Sequence, residues 1–150
     1  EKQYIRTVFN IATVGIAVGF AMMFGGSFID VIATMFVGLL LAGCISAGKI
    51  IKMNSILADV ISCMGIAMLT MLIKAFAIPE INMDIVIIST IMPIVPGVAI
   101  TNAIRDTLQG DYLSGSARIL EAFLKAASIA LGIGIGMAIF EMWLGGSVIW

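Results

Sequence analysis

Apolar residues run through this chain in long blocks, and the polar ones gather in the short gaps between them. Five blocks approach or reach the roughly 20 residues a helix needs to cross the ~30 Å hydrocarbon core of a bilayer. They are Val8–Phe24, Phe28–Gly48, Ile56–Ile78, Ile85–Ile104 and Ile119–Leu144. The first is short and its exit is marked by Gly25-Gly26-Ser27. The connections are brief, so successive helices are expected to be antiparallel neighbours. No internal repeat and no low-complexity linker interrupts the pattern. The fold class this predicts is all-α: a polytopic membrane protein of five transmembrane helices, with residues 1–150 forming a single transmembrane domain.

The fourth block carries the sharpest local signal. Pro93, Pro96 and Gly97 sit near its middle. Proline donates no backbone hydrogen bond and clashes with the preceding turn. It also drives the residue before it, here Met92 and Val95, out of helical geometry. The fourth span is therefore expected to be broken. Lipid cannot satisfy backbone groups freed in this way, so such a break must face protein or a wet cavity. Discontinuous helices of this kind build substrate sites in many transporters. The break frees the carbonyls of Ser89 and Met92 and starts a new helix near Val98. The amides at that helix start carry about half a positive charge and suit a carboxylate. Ser89, Thr90 and Thr101 are candidate hydroxyl contacts, against the alternative that they bond back to their own helix. Asn102 completes the candidate substrate-binding set of Ser89, Thr90, Pro93, Pro96, Gly97, Val98, Thr101 and Asn102.

Charge then orients the spans. Lys2 and Arg6 precede the first, Lys49 and Lys52 separate the second and third, and Arg105 and Arg118 separate the fourth and fifth. With five spans all six fall on one side, which the positive-inside rule makes cytoplasmic. Glu80, Asp84 and Glu141 fall on the other, with Lys74 nearby as a snorkelling side chain. The N-terminus is thus expected inside and the C-terminus outside.

Composition agrees and removes several function classes. Hydrophobic residues make up 61% of the chain and charged ones 11%, against roughly 25% charged in a soluble domain; mean hydropathy is +1.18. The net charge of −1 gives no reason to expect a nucleic-acid partner. There is no histidine, which removes the commonest acid–base side chain and metal ligand; no metal site and no cofactor is expected. Cys44 and Cys63 lie in apolar runs and read as packed thiols rather than a disulfide. The chain begins at Glu1, which suggests a fragment or a processed product, and the first block is too long and too integrated to be a removed signal peptide.

Charged residues that intrude on the spans are candidates for gating or coupling, because charge at that depth is expensive and is usually paired or cavity-facing. Asp30 and Asp59 intrude on spans two and three. Arg105 and Asp106 close the half-helix after the break, and Arg105 is expected to pair with Asp111 or Glu121. Gly110-Asp111 and Ser114-Gly115-Ser116 read as a turn, with Ser116 capping span five. Arg118, Glu121 and Lys125 follow at helical spacing, Glu121 and Lys125 standing as a favourable i,i+4 pair. Lys125 lies one to two turns inside the span. Gly132, Gly134 and Gly136, with Ser128 and Ala130, form a stripe of small residues suited to close helix packing; Gly15 and Gly19 read the same way.

From Pro96 to Ala126 the chain resembles the bacterial threonine/serine exporter family. The residues that carry the resemblance are Pro96-Gly97 in a broken helix, Asn102-x-x-Arg105-Asp106, Gly110-Asp111, Ser114-Gly115 and the downstream Arg118. The earlier spans fit in number and character without a sharp motif. The resemblance implies a cytosolic segment before span one and a second membrane domain, fused or supplied as a smaller subunit, neither present in this chain. It implies export of threonine and serine or, in two-subunit relatives, a link to small dicarboxylates.

An odd number of spans points the same way, since a following copy would be inverted, as many transporters require. The chain reads as one half of a larger unit in the bacterial cytoplasmic (inner) membrane, completed by a partner subunit, a second domain or copies of itself. The leading expectation is a secondary exporter of small hydrophilic metabolites, driven by an ion gradient because no P-loop or other nucleotide motif is present. A non-transporting scaffold is the alternative; in it the break at Pro93–Gly97 would be plugged by side chains. A membrane-embedded hydrolase has Gly110-Asp111, Ser114 and Ser116 to offer but no histidine and no second motif aspartate, and no enzyme is expected.

Overall fold

The computed structural model describes residues 2–144, apart from the side chains of residues 2–6, Lys49 and Leu144. The basic residues Lys2, Arg6 and Lys49, used above to orient the spans, therefore lie outside the described side chains. The helices are α1 (Lys2–Met23), α2 (Phe28–Ile51), α3 (Ser55–Phe76), α4 (Met83–Ile91), α5 (Gly97–Leu108) and α6 (Tyr112–Leu144), with a 3-10 turn at Met92–Ile94 between α4 and α5. No strand occurs among the described residues.

Local chemistry fixes the helix ends. Ser27 and Asp30 form a capping box at the start of α2, satisfying amides that the first turn leaves without acceptors. Lys52 stops α2 in the left-handed conformation, with φ of 54°. Asn54 then caps α3 through the Ile56 amide at 3.1 Å. The turns at Gly25 and Gly110 require φ of +76° and +88°, which glycine adopts without strain.

Three helical stretches are long and apolar enough to cross a membrane: Phe28–Gly48, Ser55–Phe76 and Tyr112–Trp143. Met83–Ile94 and Gly97–Leu108 form a pair bent by 53°, a fourth span if counted as one. The apolar part of α1, Thr7–Met23, is shorter. At 1.5 Å per residue it covers about 26 Å, so the expected count of five holds only approximately.

Contacts between helices fix their directions. Asn10 meets Ser46 and Gly38 faces Ala17, so α1 and α2 are antiparallel. Gly48 faces Ala58 and Gly65 faces Leu40, so α2 and α3 are antiparallel. Asp30 meets Asn82 and Thr34 meets Ser89, so α4 runs parallel to α2. Gly132 lies on Val60 and Cys63, and Gly136 on Met64 and Ala67, so α6 runs parallel to α3. A re-entrant loop at α4–α5 would return the chain to the side where α3 ends and send α6 antiparallel to α3. The observed parallel packing makes the bent pair one crossing.

Val37, Leu41, Cys63, Ile66, Val86 and Ile129 form the centre of the core, where α4 packs against α1, α2 and α3. α5 leaves this bundle and packs against α6. The α3–α6 register explains why α6 starts earlier than Ile119. Its 33 residues outrun the start of α3 by about 20 Å, and that overhang is what α5 lies on.

Candidate functional site

Close packing of α3 on α6 sets up the site. A Cβ on Gly132 would come within 2.5 Å of the Val60 carbonyl oxygen, and one on Gly136 within 2.7 Å of that of Met64. Ser128 is buried in the same stripe, its hydroxyl donating to the Lys125 carbonyl at 2.7 Å. The backbones thus touch where side chains would otherwise stand, as small residues at four-residue spacing allow. This register draws Lys125, one turn before Ser128, toward the first turns of α3 and hence toward Asp59. Gly134 and Ala130 face away, and nothing lies within 4 Å of Gly134, Gly15 or Gly19; for these the close-packing expectation fails because they sit on outward faces.

The helix break opens onto space. A cavity of about 510 Å³ runs from the α2–α3 connection, at Lys52, Met53 and Ser55, to Pro93 and Ile94; Asp59 and Lys125 line it. A second cavity, about 300 Å³, lies on the other side of the break. Pro96, Val98 and Ala99 line it with Glu121 and, again, Lys125. The 3-10 turn explains the shape. The Val95 amide closes onto Ile91, and the Gly97 amide folds back onto the Val95 carbonyl at 2.8 Å, so α5 starts afresh. Its first-turn amides, at Val98 and Ala99, have no acceptor within the helix.

Asp59 is the unusual member. It is 8% exposed, and its Oδ2 is buried without a hydrogen-bond partner. Lys125 is close enough for its charge to act on Asp59, yet no ion pair joins them. Among the described residues the only ion pair is Arg118 Nε to Asp106 Oδ2, at 2.9 Å. It is half exposed on the arginine side, a setting in which such pairs contribute about 0–1 kcal/mol. Arg105 is exposed and makes neither expected pair, with Asp111 or with Glu121; Arg118, across the α5–α6 hairpin, takes the neighbouring carboxylate instead. Glu121 and Lys125 share a cavity wall rather than an ion pair.

Several other candidates are occupied with structure. The Ser89 hydroxyl donates to Ile85 and Val86 and contacts Thr34; Thr90 donates to Val86 at 2.6 Å. Both side chains are fully buried and neither lines the cavities. Thr101 bonds back to Gly97 at 3.0 Å and is exposed. Asn102 is half-buried on α5, beyond both cavities. Asp30 accepts from the Ser27 amide and hydroxyl, both at 2.9 Å, and from the Asn82 amide at 2.8 Å, which ties the α3–α4 connection to the start of α2. Ser116 is not the cap of α6, because the helix begins four residues earlier. Asp111 caps it by accepting from the Ser114 amide at 3.1 Å. The Ser114 hydroxyl and amide hold the Asp111 carboxyl below its ordinary value, with Arg118 assisting.

Lys52 and Ser55 are cavity residues that sequence reasoning did not single out as site residues. The charge pattern uses Lys52 only to orient the spans. Its left-handed position between two helix ends sets it on the cavity wall, and a pattern of apolar blocks does not encode that.

No match was found among curated proteins or among solved structures. A family model described as "Putative threonine/serine exporter" matches residues 1–140, well beyond the Pro96–Ala126 segment that carries the visible motif. The chain therefore belongs to the threonine/serine exporter family, and is a multi-pass membrane protein of that family's kind.

Proposed function

We propose that this chain is the membrane half, or one subunit, of a secondary exporter that moves threonine- or serine-like amino acids out of the cytoplasm on an ion gradient. The observation that carries this reading is the helix break. Pro93 and Ile94 line one cavity, and Pro93 through Pro96 line the other. A scaffold would have filled that space with side chains. Charged groups from α3 and α6 converge there, as in transporters whose sites sit at discontinuous helices. The proposed setting is the bacterial inner membrane with the N-terminus cytoplasmic and the C-terminus outside. The 510 Å³ cavity, walled by the basic α2–α3 connection, would then face the cytoplasm. A second membrane domain, a smaller partner or another copy of the chain would complete the pathway, and small dicarboxylates are the competing substrate class.

The break supplies the test. The double substitution Pro93→Ala and Pro96→Ala restores two backbone donors and relieves the ring clashes, favouring a continuous helix. Export of L-threonine from loaded cells is expected to fall at least about tenfold at matched protein level. Collapse of the ion gradient by a protonophore or sodium ionophore is expected to abolish wild-type export. Normal export by the double variant would favour the scaffold.

A further inference from the structure

We propose that Asp59 is the residue that recognises the substrate's ammonium group, with Lys125 and Lys52 facing its carboxylate; this rests on the exporter reading and specifies its site. A carboxylate oxygen buried without a donor is destabilising unless a cation or hydrogen-bond donor meets it. Asp59 Oδ2 is in that state, 92% of the residue being buried, and the residue lines the 510 Å³ cavity. The volume lies within the range of small-molecule sites. Nothing else on the lining can serve as Asp59's permanent partner. Ser55, on the same helix, makes no hydrogen bond to it, and neither Lys125 nor Lys52, at the end of α2, makes an ion pair with it. α1 contributes Phe9 to the lining, α2 Ile45 and Gly48, and the break Pro93 and Ile94, none of them with a charged side chain.

An α-amino acid fits this arrangement by charge. Its ammonium supplies up to three donors to the one unsatisfied acidic oxygen. Its carboxylate, two bonds away, meets the ammoniums of Lys125 and Lys52, which line the same cavity from α6 and from the end of α2. A dicarboxylate supplies only acceptors and would set a negative charge against Asp59. The cavity thus discriminates between the two substrate classes through a single residue, because a site with a buried polar group strongly rejects a ligand that leaves the group unpaired.

Uptake of L-threonine into inside-out vesicles from cells expressing the protein tests this, at matched amounts of each variant in the membrane. Asp59→Asn keeps the shape and removes the charge. It is expected to raise the KM for L-threonine about tenfold or more, the loss associated with a charge-assisted hydrogen bond. Inhibition by 3-hydroxybutanoate, the deaminated analogue, is expected to persist or strengthen, since the lysines remain. Asp59→Glu is expected to recover part of the threonine affinity, and Lys125→Gln to weaken threonine and 3-hydroxybutanoate together. An unchanged threonine KM in Asp59→Asn overturns the assignment. So does an equal loss of both ligands, which a purely structural carboxylate would produce. Wild-type vesicles that accumulate neither threonine nor serine overturn the exporter reading itself, a result distinct from normal wild-type uptake with an insensitive Asp59.

Discussion

Asp30 sits three residues into α2, and its two carboxylate oxygens accept from the Ser27 amide, the Ser27 hydroxyl and the Asn82 amide. Asp59 sits in the second turn of α3, with one oxygen left without any donor. In the chain the two look alike: single carboxylates near the ends of apolar runs. Their neighbours separate them, one being consumed by capping and the other held open beside a cavity. Asp30→Ala is expected to destabilise the protein by about 2 kcal/mol or more, from the lost cap and the charge-assisted bonds. The readout is the thermal midpoint of the detergent-solubilised protein, compared with threonine transport per folded molecule. Transport per folded molecule is expected to stay near the wild-type value. A fully stable Asp30→Ala protein that had lost transport would return Asp30 to the coupling set.

At the scale of elements, the α3–α6 contact organises the site more than any motif does. Gly132 and Gly134 are two residues apart in one glycine-rich stretch, yet only Gly132 lies against α3. A methyl at Gly132 would press on the Val60 carbonyl at 2.5 Å and on the Cys63 Cβ at 2.7 Å, while one at Gly134 meets nothing within 4 Å. Backbone cannot yield as a flexible side chain does, so Gly132→Ala must push the helices apart. The expected cost is about 1–3 kcal/mol, with weakened transport because Lys125 is drawn away from Asp59. Gly134→Ala is expected to be neutral or slightly stabilising, as alanine is the better helix former. Equal stability of the two variants in a chemical-denaturation series would contradict this packing. The same logic accounts for Arg118, which reaches Asp106 because α5 and α6 form an antiparallel hairpin, whereas Arg105 projects from the exposed side of α5.

For the whole molecule, the helix directions bear on topology. α3 and α6 run parallel with one bent crossing between them, so the α2–α3 and α5–α6 connections share a side and the α3–α4 connection lies opposite. Lys52 and Arg118 lie at or next to the first two, Glu80 and Asp84 at the third. In the proposed orientation the first side is cytoplasmic, the side the positive-inside rule favours for this charge asymmetry. Single cysteines at Met53 and Gln109, in a background lacking Cys44 and Cys63, are expected to be labelled from the cytoplasmic face by an impermeant maleimide, and one at Asn82 from the outside. Labelling of Gln109 and Asn82 from the same face would remove the bent crossing. Large apolar side chains such as Leu113 and Trp143 stand almost fully exposed on this single chain. That is the expected surface of a unit that meets lipid or a further membrane domain.

The sequence alone determined the class of the protein. Blocks of about 20 apolar residues admit helices in a bilayer and little else, and two prolines within four positions must break whichever helix holds them. Both depend on local chemistry and so can be read along the chain, as can the Pro96–Ala126 motif. Tertiary structure decided which of the marked residues meet. Asp59 and Lys125 are 66 positions apart, and only the approach of α3 to Gly132 and Gly136 brings them to one cavity. Ser89 and Thr90, beside the break in sequence, are instead buried in the core, Ser89 against Thr34 of α2. Helix rotation and the register between distant helices are set by packing, and a pattern of apolar blocks carries neither.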